Sequence, residues 1–165
     1  MDFFLDSSIA TLTVNTPVTL TNNFSTTPVV RCNAPSAAAT NFGISTTGSV
    51  AGVEWKYATS ASGPWNTIAA GTPVGASYSG ATSNTLSVTT NGSTPVGNYY
   101  YKAFVTGTGS GPNKCADVES AVATISVANP TITVSPSTAA YCTPGPGVTL
   151  TASGSDINSY SWTAS

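Results

Sequence analysis

The chain has 165 residues and a mass of 16.5 kDa; with 4 Lys+Arg, 6 Asp+Glu and no His, only 6% of it is charged. Its 28 Thr and 23 Ser make up close to a third of the residues, so solubility rests on hydroxyls where ordinary domains are about one quarter charged. Four cations cannot neutralise a run of phosphates, which argues against nucleic acid as a partner. The absence of His and the scatter of the carboxylates leave triad, zinc and most acid–base chemistry without parts, so neither a metal nor a cofactor is expected and the chain is read as non-enzymatic.

The length allows one ordinary domain and a remainder. Forty per cent apolar residues fill a core, and the 26 Gly and Pro residues suit many short turns. No apolar run is long enough to span a bilayer. The first residues, Met1 to Asp6, lack the basic and apolar regions of a secretion signal. Either the chain is intracellular or these residues are internal to something longer.

A repeat favours the second reading. Ala10-Thr11-Leu12-Thr13-Val14 with Pro17 recurs 113 residues later as Ala123-Thr124-Ile125-Ser126-Val127 with Pro130. Each copy is followed by an extended stretch reaching a cysteine, Cys32 or Cys142, and then a tryptophan, Trp55 or Trp162. Residues 1–14 are therefore read as the last strand of an upstream domain, 15–128 as one complete domain, and 129–165 as the first half of a following one.

Within 15–128 the period is two. Val53, Trp55 and Tyr57 alternate with Glu54 and Lys56; Leu86 and Val88 flank Ser87; Tyr99, Tyr101, Ala103 and Val105 alternate with Tyr100, Lys102, Phe104 and Thr106. This predicts a core of Trp55, Tyr57, Leu86, Val88, Tyr99 and Tyr101. Turns at 62–64, 91–92, 95–98 and 109–112 separate the runs, and no window supports a helix of ten residues. About seven strands in roughly 110 residues describe an all-β, two-sheet sandwich.

Val53-Glu54-Trp55-Lys56-Tyr57, Gly63-Pro64-Trp65-Asn66-Thr67-Ile68, Ala81 to Val88 and Gly97-Asn98-Tyr99-Tyr100-Tyr101-Lys102-Ala103 resemble an immunoglobulin-like repeat of large secreted and cell-surface bacterial proteins that use the type IX route. Ala140 to Gly145, Leu150 to Gly154 and Ser159 to Trp162 are similar to the opening of a second such repeat. The resemblance implies strand C at 53–59, C′ near Trp65, E at 84–90, F at 98–106 and G at 119–127. It departs from antibody domains in having no B–F cysteine pair: the F position falls on Ala103, and the presumed B strand, Asn41 to Thr47, has no cysteine. It also implies that Cys32 and Cys115 meet at one end of the sandwich and form a disulfide, worth about 4–5 kcal/mol by chain entropy, with Cys142 the first cysteine of the next repeat. Three reduced thiols are the alternative, and a disulfide implies an oxidising compartment.

Trp65, Tyr78, Tyr100 and Phe104 fall outward by alternation or on loops, where an aromatic row binds a glycan or protein, or merely covers a sheet. Glu54 and Lys102 are expected to pair across strands C and F. Asp117 and Glu119 offer two oxygens to a calcium ion that needs six to eight, and otherwise remain solvated carboxylates. Glu54 has no second carboxylate near it in the sequence.

The expected function is a non-catalytic structural or adhesive module of an extracellular or cell-surface tandem protein, whose partners are neighbouring repeats. A surface glycan or protein ligand and self-association are further possible partners. The alternatives are a carbohydrate-binding module of a secreted hydrolase and a filament or sheath subunit that assembles by strand exchange.

Overall fold

The computed structural model describes residues 11–33, 38–138, 145, 147–155, 157 and 159–163. Among them the chain forms β1 (Thr19–Asn22), β2 (Val29–Cys32), β3 (Ala38–Thr47), β4 (Val50–Ala58), β5 (Asn66–Thr67), β6 (Ser77–Ser79), β7 (Thr85–Thr90), β8 (Gly97–Gly107), β9 (Val118–Glu119), β10 (Ala123–Ala128), β11 (Thr131–Ser135) and β12 (Thr151–Ser155). One 3-10 turn covers Gly111–Asn113, and there is no α-helix among the described residues. No described helix is long and apolar enough to cross a membrane. The all-β outcome follows from the composition, because β-branched Thr, Val and Ile lose rotamer freedom in a helix and fit a pleated surface.

One sheet has the order β1-β3-β7-β6 and the other β2-β10-β8-β4-β5, with β9 also paired to β8. Every pairing is antiparallel except β2 with β10. The sheets share one core, a two-layer arrangement compatible with a β-sandwich. Phe42 of the first sheet stacks on Tyr101 of the second at 5.8 Å and 29°. Trp55, Leu86, Val88 and Tyr101 are fully enclosed, and Tyr57 and Tyr99 are buried; each such side chain contributes about 1.5–3 kcal/mol by leaving water. The indole of Trp55 donates to the Ser83 carbonyl at 2.9 Å, so its one polar atom is satisfied inside the core. Every buried member of this core lies between Val18 and Val127, so this body closes with its own residues and meets the condition for folding alone.

The last strand of the body differs from the expected 119–127 run. It is split into β9 and β10 because Ser120 occupies the ladder between them. Its hydroxyl accepts the Ala103 amide at 2.8 Å and donates to the Ala121 carbonyl at 2.7 Å, while the Ala121 amide turns to Asn22. The strand expected over 1–14 lies outside the described residues through residue 10. Thr11 to Val14 form no ladder, and Leu12 and Val14 are 87% and 79% exposed.

The expected disulfide is absent, as Cys32 and Cys115 are both free. Cys32 pairs with Ala128, the last residue of β10, at the end of that strand that lies against Gly97. Cys115 donates its amide to the Thr108 carbonyl, just past Gly107 at the other end of β8. That strand has eleven residues, so about 33 Å separates the two ends, whereas a disulfide requires Cα atoms within about 7 Å. The expectation of one shared end fails because Cys32 closes β2 at one pole while the loop that carries Cys115 lies at the other. Cys142 lies outside the described residues.

Beyond Ala128 a two-stranded sheet, β11 with β12, repeats the opening of the body. Ile132 faces Gly154 and Val134 faces Ala152, while in the body Leu20 faces Thr46 and Val18 falls beside Gly48. Each pairing sets a glycine against the facing backbone, Gly48 just after β3 and Gly154 within β12. A Cβ on Gly48 would collide with the Pro17 carbonyl oxygen, and one on Gly154 with that of Thr131. Gly48 also has φ 89°, a conformation that other residues adopt only with strain. Val18, Leu20, Phe42 and Ile44 thus correspond to Ile132, Val134, Val148 and Leu150.

Candidate functional site

The outward face of the larger sheet gathers the polar and aromatic residues the sequence singles out. Because β4 and β8 pair with Lys56 opposite Lys102 and Glu54 opposite Phe104, and β9 sets Glu119 opposite Phe104, one row reads Glu54, Phe104, Glu119. The next holds Thr67, Lys56 and Lys102. Trp65, just before β5, closes over the rows with its ring 6.2 Å from that of Phe104 at 66°.

Two lysines directly opposite each other repel, and the surrounding groups offset this. Lys102 pairs with Glu119; Lys56 lies 3.4 Å from Glu54, which also accepts the Thr67 hydroxyl at 3.2 Å. The Lys56 ammonium sits 5.0 Å from the centre of the Phe104 ring, and that of Lys102 5.7 Å from Trp65 and 5.8 Å from Phe104. Cations over aromatic faces gain about 0.5–1 kcal/mol each at exposed sites. The expected Glu54–Lys102 pair does not form: Glu54 is taken up by Lys56 and the Thr67 hydroxyl, and Lys102 by Glu119. Glu119, in contrast, joins Glu54 in one row, which the sequence reading did not anticipate, and the Phe104 ring stands between the two carboxylates.

The four candidate surface aromatics do not form one row. Only Trp65 and Phe104 meet. Tyr100 is outward but lies in a different row, between Ala58 and Thr124. Tyr78 turns inward, with its ring 6.1 Å from that of Tyr101 and its hydroxyl donating to the Thr72 carbonyl at 2.8 Å. Burial pushes the Tyr78 phenol up to about 12 and raises that of Tyr101 further still. Alternation failed for Tyr78 because β6 is a three-residue edge strand whose face only its neighbour β7 defines.

At the pole where the chain enters the body, Asp117 accepts Lys114 at 2.8 Å and the Gly107 amide at 3.0 Å. The Lys114 hydrogen bond and then the Gly107 amide hold its carboxyl below the usual range. Asp117 and Glu119 thus each engage a different lysine instead of converging on a common point. Beside them a cleft of about 660 Å³ runs between Thr11–Asn15 and the loop from Gly109 to Cys115. A smaller cavity of about 270 Å³ lies on the open face of the second unit, against Ile132, Val134, Tyr160 and Trp162.

Tyr99 was read only as core, yet its hydroxyl has a specific task. It donates to the carbonyl of Pro95, four residues upstream, at 2.8 Å, and so pins the turn into β8. A tyrosine at the start of a strand, just after a Pro-containing turn, is the sequence signal for it. Compared with protein-family models and with curated proteins, the chain matches none.

Proposed function

We propose that the chain is a non-catalytic structural or adhesive immunoglobulin-like module of a secreted or cell-surface protein built from tandem repeats. The strand order supports the immunoglobulin type: β1, β3, β7 and β6 take the places of A, B, E and D, and β2, β10, β8, β4 and β5 those of A′, G, F, C and C′. The Tyr99–Pro95 hydrogen bond has the form of the tyrosine corner of that fold. Counting from that corner moves the F-strand bridge position from the expected Ala103 to Tyr101, two residues after Tyr99. The Phe42–Tyr101 stack then stands where antibody domains place the B–F disulfide, beside the buried Trp55.

The observation that carries the tandem reading is the β11–β12 sheet, which repeats the antiparallel β1–β3 pairing with a glycine set against the facing backbone. A non-catalytic role is supported by the state of the carboxylates: Glu54, Glu119 and Asp117 each hold a lysine on open surface, and a ring separates the first two. The glycan alternative draws little from Trp65 and Phe104, which meet edge to face under two ammonium groups. Strand exchange draws on exposed Ile132, Leu150 and Trp162, and a chain that stays monomeric at high concentration contradicts it.

The test of the main reading is protease shaving of intact source cells, followed by detection of this chain. Release of its peptides without lysis is expected. Retention of the whole chain in the soluble cytoplasmic pool overturns the proposal.

A further inference from the structure

We infer that consecutive units of the array are stapled across each junction by a disulfide between the Cys32 position of one unit and the Cys115 position of the next. The inference rests on the tandem reading above. Within one unit these thiols occupy opposite poles and cannot meet. Between units the same placement brings them together.

At the downstream pole Cys32 is exposed and lies directly beside Ala128, the last residue of β10, while the Asn33 amide donates to the Ala128 carbonyl at 2.6 Å. At the upstream pole the Cys115 sulfur lies 3.4 Å from the Thr16 carbonyl oxygen and lines the cleft against Thr11–Asn15. The repeat of Ala10–Val14 as Ala123–Val127 puts Asn15 in the place of Ala128 and Thr16 in the place of Asn129. At any junction, then, one thiol flanks the Ala128 position and the other touches the carbonyl of the residue that follows. Neighbouring strands are about 4.8 Å apart and one residue advances the chain about 3.3 Å, so the two sulfurs begin within about 12 Å along that path. A modest bend at the junction brings the Cα atoms to the about 5.5–6 Å that a disulfide prefers. The cleft beside Cys115 leaves room for the neighbouring pole to close.

The step is thiol–disulfide exchange with a low-molecular-weight disulfide. The Cys32 and Cys115 thiols lose two protons and two electrons and form one S–S bond, and glutathione disulfide, whose own S–S bond breaks, leaves as two glutathione thiols. Such a staple resists pulling along the array, because it bridges the one short linker between two closed bodies.

The test is a fusion in which residues 1–128 of one copy run directly into residues 16–165 of a second, oxidised with glutathione disulfide and mapped as non-reduced peptides. The expected result is the loss of two alkylatable thiols and one dominant link, from Cys32 of the first copy to Cys115 of the second. Cys32→Ser in the first copy, or Cys115→Ser in the second, abolishes the link; the reciprocal pair of substitutions leaves it intact. If the fusion does not fold, the same heterotypic pairing is scored between light- and heavy-isotope copies of the full chain at high concentration. Free thiols after oxidation, or indiscriminate pairing among the cysteines, overturn the inference. Both outcomes are read on purified protein, so they leave the cell-surface test of the tandem reading standing.

Discussion

The same four positions behave differently in the two units of this chain. In the body Val18, Phe42 and Ile44 are 8%, 1% and 3% exposed, and Leu20 packs against them; their counterparts Ile132, Val148 and Leu150 are 60%, 41% and 47% exposed. Both units pair two strands antiparallel and set a glycine against the facing backbone, so local sequence is enough to make the pairing. Among the described residues, no layer faces β11 and β12 as β4, β8 and β10 face the first sheet. A two-stranded ribbon is marginal in water without one, and burial, not pairing, supplies most of the stability.

The sharpest way to break this comparison is to remove one tryptophan from each unit. Trp55→Ala is expected to destabilise the body by about 3–5 kcal/mol, whereas Trp162→Ala shifts the main denaturant transition by less than about 0.5 kcal/mol. Equal effects from the two substitutions would mean that the units share one core.

Alkali offers the next largest effect. Tyr78 and Tyr101 keep their protons when folded, with Tyr78 held to about 12, and release them near 10 once unfolded. Their contribution is therefore fully present below pH 10 and is lost as pH rises through the raised folded values. Phenolate absorbance from Tyr78 and Tyr101 is expected to appear only together with unfolding, above pH 10. One smooth titration centred near pH 10 would show that these hydroxyls are not enclosed.

Gly48→Ala forces a left-handed conformation and a backbone collision together, with an expected cost of about 1–3 kcal/mol. Gly154→Ala should leave the main transition unmoved. Tyr99→Phe, which removes only the hydroxyl on the Pro95 carbonyl, is expected to lower stability by about 1 kcal/mol, measured by urea unfolding. Lys102→Ala should cost less than about 1 kcal/mol, and less again in high salt, because its partner Glu119 is half exposed.

The strands of the body were largely legible in the sequence, because Trp55/Tyr57, Leu86/Val88 and Tyr99/Tyr101 alternate cleanly with polar neighbours. The interruption at Ser120 was not, since it arises from a hydroxyl reaching the amide of Ala103, a residue distant in the sequence. The outward patch was half legible. Alternation placed Phe104, Lys102 and Glu54 on one face, but the choice of Glu119 over Glu54 as the partner of Lys102 depends on which strands flank β8 and on Glu54 already holding Lys56, which no single strand contains. The cysteines were misplaced for a related reason. Cys32 ends an extended stretch and Cys115 falls before the last strand, as the sequence suggests, whereas the pole each occupies is a property of strand order.

Native-state hydrogen exchange on the full chain tests most directly the claim that one closed core lies between Val18 and Val127 and that β11 and β12 pair outside it. Amides in β3, β4, β7, β8 and β10 are expected to exchange only through global unfolding, and those of β11 and β12 through fast local opening. Protection of β11 and β12 equal to that of β8, lost at the same denaturant concentration, would contradict it.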